Sequence, residues 1–195
     1  MENPNSLVLE NKRAKICFYQ DFDPKNLEEI FYPEVLDNLE LILEPKLSLL
    51  ESYLQHLEKQ NKSVSVQSFF CFDKDKKGAL AGFTQLKYID LYNKKLEMGG
   101  TWFGKEFQGT GLNHAVKHLL LTYCFEHLKM NRVQFSIDDQ NQASIKSMDR
   151  IGAIYEGKFR NNWVDNTGIS RDDVYYSIIS NDWKQVKEKY FSEFL

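Results

Sequence analysis

Cysteine is scarce in this chain. Cys17, Cys71 and Cys124 are odd in number and far apart, so they build neither a disulfide framework nor a C-x-x-C site. They read as buried thiols of a reducing compartment. Long apolar runs are missing as well. Candidates such as 47–50 and 119–121 are short and flanked by polar residues, so no membrane span is expected. Residues 1–10 lack a basic region followed by an apolar core, so no secretory signal and a cytoplasmic location are expected. Neither sign of charge dominates. A formal net charge of −3 argues against general affinity for nucleic acid or anionic membrane. What is present, 42% hydrophobic and 27% charged residues, is the balance of a globular chain. The length fits one domain, residues 1–195, better than two.

Periodicity and punctuation divide the chain. Residues 7–20 read as a strand region containing the alternating Ile16-Cys17-Phe18-Tyr19, and Asp23-Pro24 open a helix over 24–31. After Glu44-Pro45, Leu47, Leu50, Leu54 and Leu57 recur at helical spacing and predict a second helix ending near Gln60-Asn61. Residues 64–72 and 79–89 form a strand pair across a turn whose Lys74 to Lys77 cluster is adequately explained as a solvated hairpin. The strand 96–103 follows. Residues 112–129 carry Leu112, Val116, Leu119, Leu120 and Tyr123 three and four apart, a helix with one buried face. Lys129 and Asn131 end it, Asn tolerating the left-handed cap and Lys complementing the helix dipole. A strand over 133–137, a short helix over 141–151 closed by Gly152, and strands 154–160 and 174–179 joined by a polar loop at 161–171 complete the order. The crossover helix makes 96–103 and 133–137 a candidate parallel pair. The fold class is therefore α/β, a mixed layer arrangement rather than a doubly wound one.

The chemistry concentrates in Gln108-Gly109-Thr110-Gly111-Leu112-Asn113, between that strand and the long helix. A helix start leaves N–H groups without intrahelical partners and carries partial positive charge, and glycine lets a ligand come close to the backbone. Such a turn suits a phosphate or pyrophosphate. It is also ordinary turn chemistry. The P-loop is excluded, because Leu112-Asn113 stand where Lys and then Ser or Thr are needed; the dinucleotide fingerprint is excluded because one of its three glycines is missing. His114 and His118, four apart on the helix, have a spacing that can hold zinc but no evident third ligand, and no metal site is expected. Trp163, Asp165 and Asp172 either line a ligand site or belong to a surface hairpin.

One set of residues carries a resemblance. It comprises a strand ending Thr101-Trp102-Phe103-Gly104, the QGTGLN turn, the strand 132–137, Asn141-x-x-Ser144, Arg150-Ile151-Gly152-Ala153 and Glu156-Gly157. With these the chain resembles the GNAT superfamily of acetyl-coenzyme A dependent N-acetyltransferases, most closely its RimJ/RimL-like branch. The family turn Q/R-x-x-G-x-G/A is matched at Gln108 and Gly111 and departed from at Asn113.

The resemblance implies the GNAT fold: a central, mostly antiparallel sheet with one splayed parallel strand pair, flanked by about four helices. It implies acetyl-CoA as cosubstrate. The coenzyme pyrophosphate would lie on the amides of Gln108, Gly109, Thr110, Gly111, Leu112 and Asn113, and the pantetheine arm along Trp102, Phe103 and Gly104. Asn141 would bond that arm, cap its helix, or do both. Glu97 is the candidate general base, or else an exposed strand charge; the N–H of Phe103 or Gly104 is the candidate donor to the thioester carbonyl. For the acid, no Tyr occurs in 143–151; Ser144 is the candidate, with helix-start capping as its other reading, and Tyr155 serves only if its strand aims it inward.

The implied function is direct ternary-complex transfer of an acetyl group to a primary amine, either a protein N-terminal α-amine or a small-molecule amine. A non-catalytic acyl-CoA-binding sensor or interaction module is the alternative. The expected partners are acetyl-CoA and the acceptor, with no nucleic acid and no membrane; a homodimer is left open.

Overall fold

In the computed structural model, which describes residues 7–39, 41, 43–165 and 167–194, the apolar periodicity resolves into eight strands and four α-helices. The strands are β1 (Val8–Glu10), β2 (Ala14–Phe18), β3 (Gln67–Asp73), β4 (Ala79–Asp90), β5 (Lys95–Phe103), β6 (Arg132–Asp138), β7 (Ile154–Val164) and β8 (Ser170–Ile179). The helices are α1 (Leu49–Gln60), α2 (Leu112–Thr122), α3 (Gln142–Arg150) and α4 (Ser180–Tyr190). All eight strands join one sheet in the order β1-β2-β3-β4-β5-β6-β8-β7. Every neighbouring pair is antiparallel except β5 and β6, which run parallel through the α2 crossover, so the mixed α/β class and its parallel pair are as expected.

Successive strand residues point to opposite faces, and that alternation builds two cores. Phe69, Leu96, Met98 and Val133 pack with Leu112, Val116 and Leu120 of α2 on one face. Phe70, Phe83 and Trp102 pack with Leu27, Leu36, Tyr53 and Leu57 on the other.

Several elements differ from the sequence reading, each for a local reason. The first strand region is a β1–β2 hairpin. Pro24–Glu29 forms a 3-10 segment capped by Asp23 rather than an α-helix, and Tyr32 is extended before Pro33, which opens a second one, Pro33–Asn38. Helix α1 starts at Leu49, because Ser48 and Glu51 form a capping box there. Helix α2 stops at Thr122 and passes into a π-helical turn, Tyr123–His127, and Lys129 rather than Asn131 takes the left-handed conformation, at φ +57°. The polar loop is mostly ladder: β7 and β8 stay paired through Trp163↔Arg171 and Val164↔Ser170, and Asp165 folds the tip by accepting from Thr167 and Ile169. Helix α4 is unanticipated. The reading of residues 1–10 falls largely on 1–6, outside the described residues; no described helix is long and apolar enough to cross a membrane.

Candidate active site

The site begins where the parallel ladder fails. Strands β5 and β6 are paired at Lys95↔Arg132, Leu96↔Val133 and Glu97↔Gln134, and no further. Beyond Glu97, β5 stays with β4 and carries a bulge: the register shifts between Phe83 and Gln85, and Gly100 stands opposite that shift at φ +57°. Strand β6 follows β8 instead. Because β5 and β6 run in the same direction, both lead out at the same edge of the sheet, β5 into the glycine turn and β6 into the start of α3.

In the turn, Gly109 and Gly111 adopt φ of +72° and +86°, and neither has another group within contact distance of where a Cβ would stand. Two of the six amides are engaged, Gln108 N–H by the carbonyl of Lys105 and Leu112 N–H by Thr110 Oγ1, both at 3.4 Å. Those of Gly109, Thr110, Gly111 and Asn113 make no hydrogen bond among the described residues. Asn113 Oδ1 is buried and without a partner among them.

On β5, the N–H of Gly104 is donated to the carbonyl of Ala81 at 2.9 Å, which ties it to β4. Alternation turns the backbone of Phe103 the other way, into the gap. Its carbonyl accepts from Gln108 Nε2 at 3.0 Å and from Tyr32 Oη at 3.3 Å, so of the two candidate oxyanion donors the Phe103 N–H is the one that faces outward. The Trp102 indole belongs to the core and donates to Tyr53 Oη at 2.7 Å.

Across the gap, Asn141 Oδ1 accepts from the Ser144 N–H at 3.0 Å, capping α3, while its amide nitrogen has no partner among the described residues. Ser144 is half-buried.

On the α1 face the gap opens into a cavity of about 450 Å³. Alternation on β6 sends Gln134, Ser136 and Asp138 into it and Val133, Phe135 and Ile137 into the core. Glu97 is only 4% exposed, which removes the exposed-charge reading. Its Oε1 lies 3.1 Å from Lys87 Nζ, and its Oε2 accepts from Gln134 Nε2 at 3.2 Å. Asp138 pairs with Arg171 at 2.8 Å. Asp173 accepts from Ser136 Oγ at 2.7 Å, Asn162 Nδ2 at 2.9 Å and Trp163 Nε1 at 3.1 Å. His56 also lines the cavity, and burial, together with the charges of Lys87 and Lys59, pushes its pKa below the usual imidazole value.

Other candidates lie elsewhere. Tyr155 sits on the edge strand β7, half exposed against Tyr176, and does not reach the cavity. Of the three loop residues, Trp163 lines the cavity while Asp165 shapes the hairpin tip and Asp172 pairs with Lys158. His114 and His118 stack on Phe191 and Phe194, and His114 Nε2 donates to the carbonyl of Tyr190. No group of three His, Cys, Asp or Glu among the described residues is placed to hold a metal ion. All three thiols are buried, and burial raises their pKa, that of Cys17 to about 11.

Lys87, Gln134, Asp138 and Asp173 escape the sequence reading. The polar alternation Gln134-Ser136-Asp138 within an otherwise apolar strand was the available signal.

Residues 21–154 match the family model described as acetyltransferase (GNAT) domain. A protein of Bacillus subtilis (strain 168) named "Putative ribosomal N-acetyltransferase YdaF" is 39% identical over 110 residues, covering 56% of this chain and 59% of the relative, so the match spans about three-fifths of that curated relative's length. A solved putative acetyltransferase from T. thermophilus has a TM-score of 0.80 at 26% identity, covering 100% of each chain. The solved RimL, a ribosomal L7/L12 alpha-N-protein acetyltransferase, shares the fold at a TM-score of 0.74 and 18% identity over 89% of this chain and 94% of its own.

Proposed function

The chain belongs to the GNAT acetyltransferase family, consistent with its RimJ/RimL-like branch, and from that premise we propose that it transfers an acetyl group from acetyl-CoA directly to a primary amine. The observation that carries this reading is the parting of β5 and β6 just beyond Glu97 and Gln134. It joins two places with different chemistry: a turn with four amides unpaired among the described residues at the sheet edge, and a cavity lined by carboxylates and two lysines on the α1 face.

The residues present fit the coenzyme. Left-handed glycines with open space above them and unpartnered amides suit a pyrophosphate, and the unpaired edge of β5 suits an amide-bearing arm. Gly109, Thr110, Gly111 and Asn113 would hold the phosphates, and the amide of Asn141 the arm. When bound, acetyl-CoA supplies the acetyl group activated as a thioester.

The remaining work falls to the chain. Glu97, in the cavity at the apex of the gap, takes a proton from the acceptor ammonium directly or through a water, leaving the neutral amine that can attack. The Phe103 N–H polarises the acyl carbonyl, which favours the charge that develops on its oxygen. As the new C–N bond forms and the C–S bond breaks, the attacking nitrogen gives up its second proton, and Ser144 would relay that proton to the departing thiolate, its own hydroxyl being restored. Buried thiols whose pKa is raised are poor nucleophiles, and this supports direct transfer over a cysteine-bound intermediate.

The acceptor is a primary amine, on a protein N-terminus or on a small molecule. Asp173, a lining carboxylate with no ion pair among the described residues, favours one that arrives as an ammonium. Calorimetry with acetyl-CoA followed by a thiol-release screen over amines tests the proposal. Binding with amine-dependent release is expected; binding with no turnover on any amine favours a sensor or interaction module instead.

A further inference from the structure

We propose that Asp173 binds a second positive charge on the acceptor, across the cavity from the amine that reacts. The proposal rests on the reading of this cavity as the acceptor site.

Three buried carboxylates line the cavity, Glu97 and Asp173 each 4% exposed and Asp138 6%. Two of them have a cation built in: Lys87 stands 3.1 Å from Glu97, and Arg171 stands 2.8 Å from Asp138. Asp173 has none among the described residues. Its three partners are the hydroxyl of Ser136, the amide of Asn162 and the indole N–H of Trp163, all neutral donors. Neutral donors orient and solvate an anion but do not cancel its charge, and a buried charge left uncancelled is costly. A carboxylate has about four acceptor positions, so three donors leave one open.

Ser136 on β6 and Trp163 on β7 are ladder-paired, Asn162 lies in the irregularity of β7 just before Trp163, and Asp173 itself is on β8, so the cage is drawn from three neighbouring strands rather than from one loop. That is preorganisation for a cation the protein does not contain.

The register sets the reach. Asp173 lies opposite Asp138, and Glu97 lies opposite Gln134, four residues back along β6. At strand rise this is about 13 Å along the strands, and β8 stands two strand spacings, about 10 Å, from β5, so the Cα atoms of Glu97 and Asp173 are about 16 Å apart; with each ammonium lying between the two carboxylates, that is the span of an extended diamine or of a short peptide with a basic side chain. The shared chemistry is an acceptor with a primary amine and a distant cation. An anionic tail is disfavoured at the same place.

The test compares α,ω-diaminooctane with ω-aminooctanol as acceptors for wild type and Asp173→Asn. Wild type is expected to prefer the diamine in kcat/KM by on the order of tenfold. In the variant that preference falls to near parity while the KM for acetyl-CoA stays as in wild type; an undiminished preference overturns the proposal. Short peptides with and without a basic residue, run the same way, distinguish the two sources of the distant cation. Thermal melting checks that the variant folds. If it does not, Asp173→Ser, which removes the charge in a smaller side chain, is expected to lower the same ratio to near parity, and an undiminished ratio overturns the proposal. If wild type acetylates neither amine, the acceptor-site reading has failed separately. Calorimetric binding of the diamine then decides: binding lost in Asp173→Asn supports the cation site, and binding retained overturns it.

Discussion

Gln134 Nε2 donates to Glu97 Oε2 across 3.2 Å, and this contact joins the last rung of the β5–β6 ladder. The proposed base is therefore held at the apex of the gap, with Lys87 on its other oxygen. Glu97→Gln keeps the size of the side chain and removes its basicity. It is expected to lower kcat by about a hundredfold, the lower end of general-base effects, while the KM for acetyl-CoA stays within about twofold of wild type, the scatter of such measurements. Steady-state kinetics read both; an unchanged kcat removes Glu97 from the base role.

Gly111 holds φ +86° at the start of α2, in open space. A side chain there meets no neighbour but strains the backbone, at a cost of roughly 1–2 kcal/mol. Gly111→Val is expected to weaken acetyl-CoA binding more than it lowers stability, because it disturbs the amides beside it. Calorimetry and melting, taken together, separate the two effects; equal losses would make the turn a purely structural feature.

Trp102 reaches Tyr53 through a buried 2.7 Å hydrogen bond. Trp102→Phe strands the Tyr53 hydroxyl and is expected to cost about 1–3 kcal/mol beyond the lost ring volume. Adding Tyr53→Phe should recover part of that loss in denaturant unfolding. No recovery would mean that the hydrogen bond contributes little.

Lys117 is buried on α2 over the ring of Phe135, without a carboxylate partner among the described residues, and burial pushes its pKa down from 10.5 to about 8. The unfolded chain then binds more protons between those two values, so stability rises with pH across that window, and the full penalty applies below it. Lys117→Met is expected to stabilise the protein by roughly 1–3 kcal/mol at neutral pH, the ring contact offsetting part of the penalty. The gain should shrink as the pH approaches 10.5. A gain that does not change with pH would point to packing instead.

These positions were not equally legible in the sequence. Leu112, Val116, Leu119 and Leu120 repeat at helical spacing, and the short apolar run Phe69 to Phe72 is bounded by polar residues, so α2 and the meander could be read directly. Helix α4 could not, because only Trp183 and Val186 are buried in an otherwise polar segment. The turn was legible because its left-handed glycines and exposed amides are local to six adjacent residues. The cavity was not. Glu97, Gln134 and Asp173 meet only through the register of three strands, and a single residue of slip would turn each of them to the opposite face.

The most direct test of direct acetyl transfer is a thiol-release assay with acetyl-CoA, run with and without an amine and followed by mass measurement of acceptor and polypeptide. Free thiol should appear only when the amine is present, each event adding one acetyl group to the acceptor and none to the chain. Release without an amine, or an acetyl group found on Cys71 or Cys124, would contradict it.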